Sequence, residues 1–182
     1  YQSAWPDEFL ILGSLLRQAL GDLALRIDHI GSTSVPGLAA KDRIDIQITV
    51  ESLDPVIEQA LNQIGYTRLK YLTDHLPPGN VGPASDWAKW VFQPPAAQRP
   101  TNLHVRVAGR ANQRYALLFR DYLRANPTTA QAYGQVKTAL AKYHAENEDA
   151  YYEVKDPVCD IIIGGAEVWA AVIQWTAGPT DC

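Results

Sequence analysis

Two short stretches, "IDIQITV" at 44–50 and "NLHVRV" at 102–107, alternate apolar and polar residues with a period of two. That period suits a half-buried strand and no helix, because successive side chains of an extended chain point to opposite faces. Ile44, Ile46 and Ile48 must then face a core, as must Leu103, Val105 and Val107. Asp45, Gln47 and Thr49 point the other way, and so do Asn102, His104 and Arg106. If the two strands are neighbours, Asp45, Gln47, His104 and Arg106 share one polar face.

The rest of the pattern places elements around this pair. A third alternating stretch at 25–30 puts Leu25, Ile27 and His29 on one side, and His29 there reads as a core histidine. Phe9, Leu12, Leu16 and Leu20 have helical spacing and predict an amphipathic helix beginning near Pro6-Asp7. Asp54-Pro55 starts a second helix, with the aspartate as cap and Gly65 as terminator. Short strands are predicted at Tyr66–Tyr71 and Lys89–Gln93, with the proline- and glycine-rich "LPPGNVGPAS" as a surface loop between them.

From about residue 111 the pattern is helical. Helices are predicted at 113–123, at 127–143 with Asn126 as cap, and from about 149 toward 175, the last one interrupted by Pro157 and by Gly164-Gly165. A mixed part over about 1–110 followed by a helical part over about 111–176, without strict strand-helix alternation, predicts an α+β fold rather than a doubly wound parallel sheet. The 182 residues make about one domain.

Several function classes drop out. No apolar run approaches the roughly 18 residues of a membrane span. A net charge of −4 argues against capture of a nucleic-acid polymer. Six of the sixteen basic residues (Arg99, Arg106, Arg110, Arg114, Arg120 and Arg124) nonetheless fall between 99 and 124 against one acid, Asp121, a grouping that suits a small anion. Cys159 and Cys182 are too few for a disulfide framework or a cysteine metal site, which fits a reducing cytoplasm. Tyr115, Leu118 and Tyr122 have core spacing rather than that of a base-stacking platform.

Gly31-Ser32-Thr33-Ser34, just ahead of the Asp45 strand, offers backbone N–H groups and hydroxyls that can cradle phosphate oxygens. The bland alternative is a connecting turn. Around it, "HIGSTSVPGLAAKDRIDI" resembles the signature block of the GrpB family, and "NLHVRVAG", "RYALLFRDYLRANP" and "YYEVK" resemble later motifs of that family in the same order.

The resemblance implies a nucleotidyltransferase-like fold of the polymerase-beta superfamily, a short mixed sheet flanked by helices. It is similar to the domain fused to dephospho-CoA kinase in some bacteria. The superfamily pattern carried onto this chain makes Asp45 and Ser32 the catalytic candidates. Gly31, Ser32, Thr33, Ser34, Lys41, Arg106, Arg120 and Lys155 become candidates for holding phosphate, and Asp45 with His104 for holding Mg²⁺ or Mn²⁺. The pattern is incomplete: Gln47 stands where a second acid is expected and His104 where a third would be sought. Two readings stay open. One is a protein that binds a nucleotide or phosphorylated small molecule, with metal-dependent transfer as its chemistry. The other is a non-catalytic binding or accessory domain working with a kinase.

Overall fold

The computed structural model describes residues 1–70 and 73–182. In chain order the elements are α1 (Trp5–Leu20), β1 (Arg26–Ile30), β2 (Ile44–Val50), α2 (Pro55–Gln63), β3 (Thr67–Arg68), β4 (Trp90–Gln93), β5 (Thr101–Val107), α3 (Ala111–Ala125), α4 (Pro127–Tyr143) and α5 (Glu148–Ile173). The two alternating stretches lie side by side as parallel β2 and β5, with Asp45 opposite Asn102 and Gln47 opposite His104. The sheet order is β1-β2-β5-β4-β3, and every other pairing is antiparallel. This is the expected α+β arrangement, a mixed sheet followed by a helical C-terminal half.

Parity decides which face is dry. Ile44, Ile46, Ile48, Leu103 and Val105 pack with Ile27 against Phe9, Leu12 and Leu16 of α1 and Ile57 and Leu61 of α2. Each such fully buried aliphatic side chain contributes on the order of 2 kcal/mol. Phe9 stacks on His29 with ring centroids 4.8 Å apart, so His29 is indeed a core residue. The helices of the second half make their own apolar contacts, with Val35 and Leu38 packed among Leu123, Ala130, Tyr133, Cys159 and Ile162. The chain end runs beside β1: Cys182 N–H donates to the Ile27 carbonyl (3.1 Å), and Asp181 accepts from His29 N–H (2.9 Å). No helix among the described residues is long and apolar enough to cross a membrane.

Local expectations fare unevenly. Asp54 caps α2 through the Val56 N–H at 2.9 Å, as its sequence implies. Asn126 does not cap α4 with its side chain; it donates instead to the Tyr122 carbonyl (2.9 Å) at the end of α3. The strand expected at Tyr66–Tyr71 is only Thr67–Arg68 among the described residues, and Tyr71 lies outside them.

The last helix is not interrupted, because α5 runs from 148 to 173 through Pro157 and both glycines. Pro157 and Glu153 are both exposed, so the carbonyl that loses its amide partner lies on the solvent side. Gly165 lies against Tyr122, where an added Cβ would stand 3.1 Å from the phenol oxygen. Packing of Cys159, Ile162, Ile163, Ala166 and Ala170 holds the helix where propensity alone would break it.

Candidate functional site

The site begins where β1 ends. Gly31 adopts φ +68° and ψ −169°, a combination essentially confined to glycine. A Cβ placed there would fall 2.8 Å from Cβ and Cγ of Asp45 and closer still to its carboxylate. The corner therefore crosses directly over Asp45. Ser34 Oγ donates to the Gly31 carbonyl (2.6 Å) and Thr33 Oγ1 pairs with His29 Nε2 (3.0 Å). Those two hydroxyls hold the turn, while Ser32 Oγ is left for another partner.

That partner is Lys137 of α4. Its ammonium donates to Ser32 Oγ at 2.5 Å and to the Ala39 carbonyl at 2.7 Å. The corner, Asp45 and Lys137 border a cavity of about 460 Å³, a size typical of small-molecule sites. The sheet contributes Asp45, Asn102 and His104 to its wall; α3 adds Tyr115 and Phe119, α4 Tyr133, and α5 Tyr151, Tyr152, Lys155 and Cys159. Lys41 and Arg43, from the segment leading into β2, Asp74, His75 and Lys89, from the long loop between β3 and β4 and its end, Arg106 of β5 and Asp156 of α5 also line it.

The charges in this wall are unequally matched. Lys137 is buried, and burial, reinforced by Lys155, lowers its pKa to about 8. Lys41 lies 4.7 Å above the Tyr151 ring, and neither it nor Lys137 has a carboxylate partner among the described residues. Lys155 has Asp156 at 3.8 Å. Asp45 accepts from Asn102 Nδ2 at 2.7 Å. Burial raises the Asp45 pKa, while Asn102 and Lys137 work the other way.

The other end of the polar face is closed. Gln47 is fully buried, with Oε1 accepting from Arg106 Nη1 (2.7 Å) and Nε2 donating to the Gln113 carbonyl (3.1 Å). Arg106 also grips Asp74 through two hydrogen bonds of 2.8 and 3.0 Å, and Asp74 takes further ones from Lys89 (2.5 Å) and Asn112 (3.1 Å). Burial alone would raise the Asp74 carboxyl; Arg106 and Lys89 outweigh it and hold the pKa far below the ordinary range. His104 is kept neutral, its pKa pushed well down by burial and by Arg106 and Lys89, and its Nδ1 has no hydrogen-bond partner among the described residues.

The donor set is poor for a pair of divalent ions. Asp45 and His104 do share the face, but they bring one carboxylate and one imidazole, and hard cations want several oxygens. No group of three or more His, Cys, Asp or Glu among the described residues could hold a metal ion.

Of the residues singled out in the sequence, Gly31, Ser32, Thr33, Lys41, Asp45, His104, Arg106 and Lys155 meet around this one cavity. Ser34 and Arg120 do not line it. Arg120 is buried and occupied: Nε donates to Asp121 (2.8 Å), and Nη1 donates to Asp181 (2.7 Å) and the His29 carbonyl (3.1 Å). The arginine grouping as a whole is no anion patch. Arg99 pairs with Glu8 and Asp42, Arg106 with Asp74 and Arg114 with Glu167, while Arg110 and Arg124 donate to the Ser85 and Ser34 carbonyls. Among the described residues, the cavity's cations without a carboxylate partner are Lys41, Lys137 and Arg43, the last donating to Asn102 Oδ1 (3.0 Å).

Lys137, Asp74, Lys89 and Tyr115 were not singled out from sequence as site residues. Lys137 left a signal: it sits in the buried stripe Ala130, Tyr133, Lys137, Leu140 of α4, where a lysine is out of place. Tyr115 does have core spacing, yet with Phe119 stacked parallel to it at 6.0 Å it forms part of the cavity wall. Nothing in the sequence around Asp74, just ahead of the proline-glycine loop, marks it as the partner of Arg106.

Comparison with known proteins bears on the fold and the family. The chain is 41% identical over 188 residues to a dephospho-CoA kinase of Mycobacterium tuberculosis, covering 94% of this chain and 46% of that protein. It thus spans about half the length of such kinase relatives. The crystal structure of the conserved protein GrpB from Enterococcus faecalis superposes with a TM-score of 0.73 at 32% identity, covering 93% of this chain and 97% of that one. A structure of Cid1 in complex with its short product ApU matches with a TM-score of 0.51 at 16% identity, over 78% of this chain and 42% of Cid1, a likeness of fold alone. The fold is nucleotidyltransferase-like. A family model described as GrpB protein matches residues 1–164, and the chain belongs to the GrpB family.

Proposed function

We propose that the cavity beneath the Gly31 corner binds a nucleotide or another phosphorylated small molecule. One observation carries this reading: the ammonium groups of Lys41 and Lys137 line the cavity with no carboxylate at ion-pair distance among the described residues, next to a serine turn. Lys137 is buried while Lys41 is exposed; burying a cation such as Lys137 without a paired opposite charge is costly, and a phosphate relieves that cost. Ser32 and the turn backbone position the phosphates, with Lys41, Lys137 and Lys155 opposing their charge. The Tyr115 and Phe119 side chains add aromatic wall against which the rest of the ligand can pack. In a transfer reaction Asp45 would be the proton acceptor, being the carboxylate nearest the corner. Titration calorimetry with ATP and UTP tests the reading. Saturable binding that Lys137→Met weakens at least tenfold supports it; no heat at millimolar nucleotide contradicts it.

A second reading is favoured by the coverage of the kinase relatives, which extend well beyond the matched segment. In it the domain is an accessory to a dephospho-CoA kinase. Copurification of the two at stoichiometric ratio supports this, and independent elution at micromolar concentration contradicts it.

A further inference from the structure

We infer that the cavity grips a polyphosphate without a divalent cation, the ammonium groups of Lys41, Lys137 and Lys155 doing the work that metal ions do in two-metal transfer sites. The inference rests on the phosphate-binding reading above and adds to it the chemical state of the ligand, a metal-free polyanion.

Two-metal sites need a clamp of carboxylate oxygens to hold both ions against each other's repulsion. On β2 the position two beyond Asp45 is Gln47, whose amide is neutral and used at both ends, by Arg106 and by the Gln113 carbonyl. Moreover, Arg106 Nη1 stands 2.7 Å from Gln47 Oε1, so a fixed positive charge already lies beside the place where a second carboxylate would have held a cation. Asp74, the other carboxylate in this part of the wall, is turned to Arg106 and Lys89. A cation arriving at Asp45 would find one carboxylate, an Asn102 amide already donating to it, and Lys137 nearby as a like charge.

The lysines have the opposite character. Lys137 carries three hydrogens, of which two go to Ser32 Oγ and the Ala39 carbonyl. The third has no hydrogen-bond acceptor among the described residues, the ammonium also lying 5.4 Å from the Tyr133 ring, and the first of those bonds fixes it at the very turn that would receive a phosphate. Lys41 and Lys155 are each held above a tyrosine ring, 4.7 Å from Tyr151 and 5.4 Å from Tyr152. These contacts aim compact, strongly charged donors into the cavity from α4, α5 and the loop before β2, and so surround a ligand as coordinated metal ions would.

The test is calorimetry with ATP in EDTA and again in excess Mg²⁺ or Mn²⁺, with Mn²⁺ alone titrated as a control. ATP is expected to bind in EDTA at least as tightly as with metal, because bound Mg²⁺ removes charge that the lysines use. Lys137→Met is expected to weaken binding at least tenfold in both conditions, and Asp45→Asn to tighten it in EDTA by removing a negative charge. ATP that binds only with Mg²⁺ or Mn²⁺, and loses that binding in Asp45→Asn, overturns the metal-free inference and leaves the phosphate-binding reading standing. No ATP binding in either condition overturns both.

Discussion

The Lys137 ammonium stands 2.5 Å from the Ser32 hydroxyl, tying the middle of α4 to the corner that follows β1. Its acceptors are neutral, and burial brings its pKa down to about 8, so it sheds its proton not far above neutrality. Phosphate binding needs the ammonium. ATP affinity should therefore hold steady below pH 8 and fall above it, by about tenfold per pH unit at the steepest. Calorimetry across pH with Lys137→Arg, which stays charged, should show a flatter profile. The same shift has a stability consequence: between about 8 and the ordinary value of 10.5 the unfolded chain binds more protons, so stability should rise with pH across that window.

Gly31 is irreplaceable for two separable reasons, its backbone conformation and the presence of Asp45 where a side chain would go. Gly31→Ala should cost about 2–4 kcal/mol in urea unfolding. Adding Asp45→Ala should recover the part of the clash made by Cγ and the carboxylate, and leave the contact with Cβ (2.8 Å) together with the conformational part of about 1–2 kcal/mol, so the two changes should be non-additive. Strict additivity would mean that corner and carboxylate do not meet.

Asp74 holds Arg106, Lys89 and Asn112 together from within a loop. Asp74→Asn leaves two largely buried cations without their carboxylate and should cost about 3 kcal/mol. Because its folded pKa is depressed, the stability it provides is present above the ordinary carboxylate value and lost as pH falls below it. Urea midpoints measured down the acid limb should converge for the wild type and the variant.

Arg120 is the control for these claims. Arg120→Lys keeps the charge but cannot span Asp121, Asp181 and the His29 carbonyl at once. It should lower the melting temperature by several degrees, the shift expected for about 2 kcal/mol, and leave ATP affinity in the folded protein unchanged.

Strand parity carried part of the fold: the alternation at 44–50 and 102–107 separates a dry face from a polar one, and with the two strands paired Asp45 and His104 share the polar face. The Gly31 turn, Lys41 and Lys155 were legible through family motifs. Partners far along the chain were not. Arg106 meets Asp74 and Arg114 meets Glu167 across 32 and 53 residues, so a count of basic residues mistook saturated ion pairs for a free patch. Lys137 was hidden for the opposite reason, being a single lysine whose meaning depends on which side of α4 is buried. Pro157 misled because helix propensity is weaker than the packing of α5 on its neighbours.

The central claim is that the hollow between the Gly31 corner and the lysines of α4 and α5 is a phosphate site. A crystal structure of the protein with ATP tests it most directly. The account predicts phosphate density within hydrogen-bond distance of Ser32, Lys137 and Lys155; nucleotide bound elsewhere, or an empty cavity at saturating ATP, would contradict it.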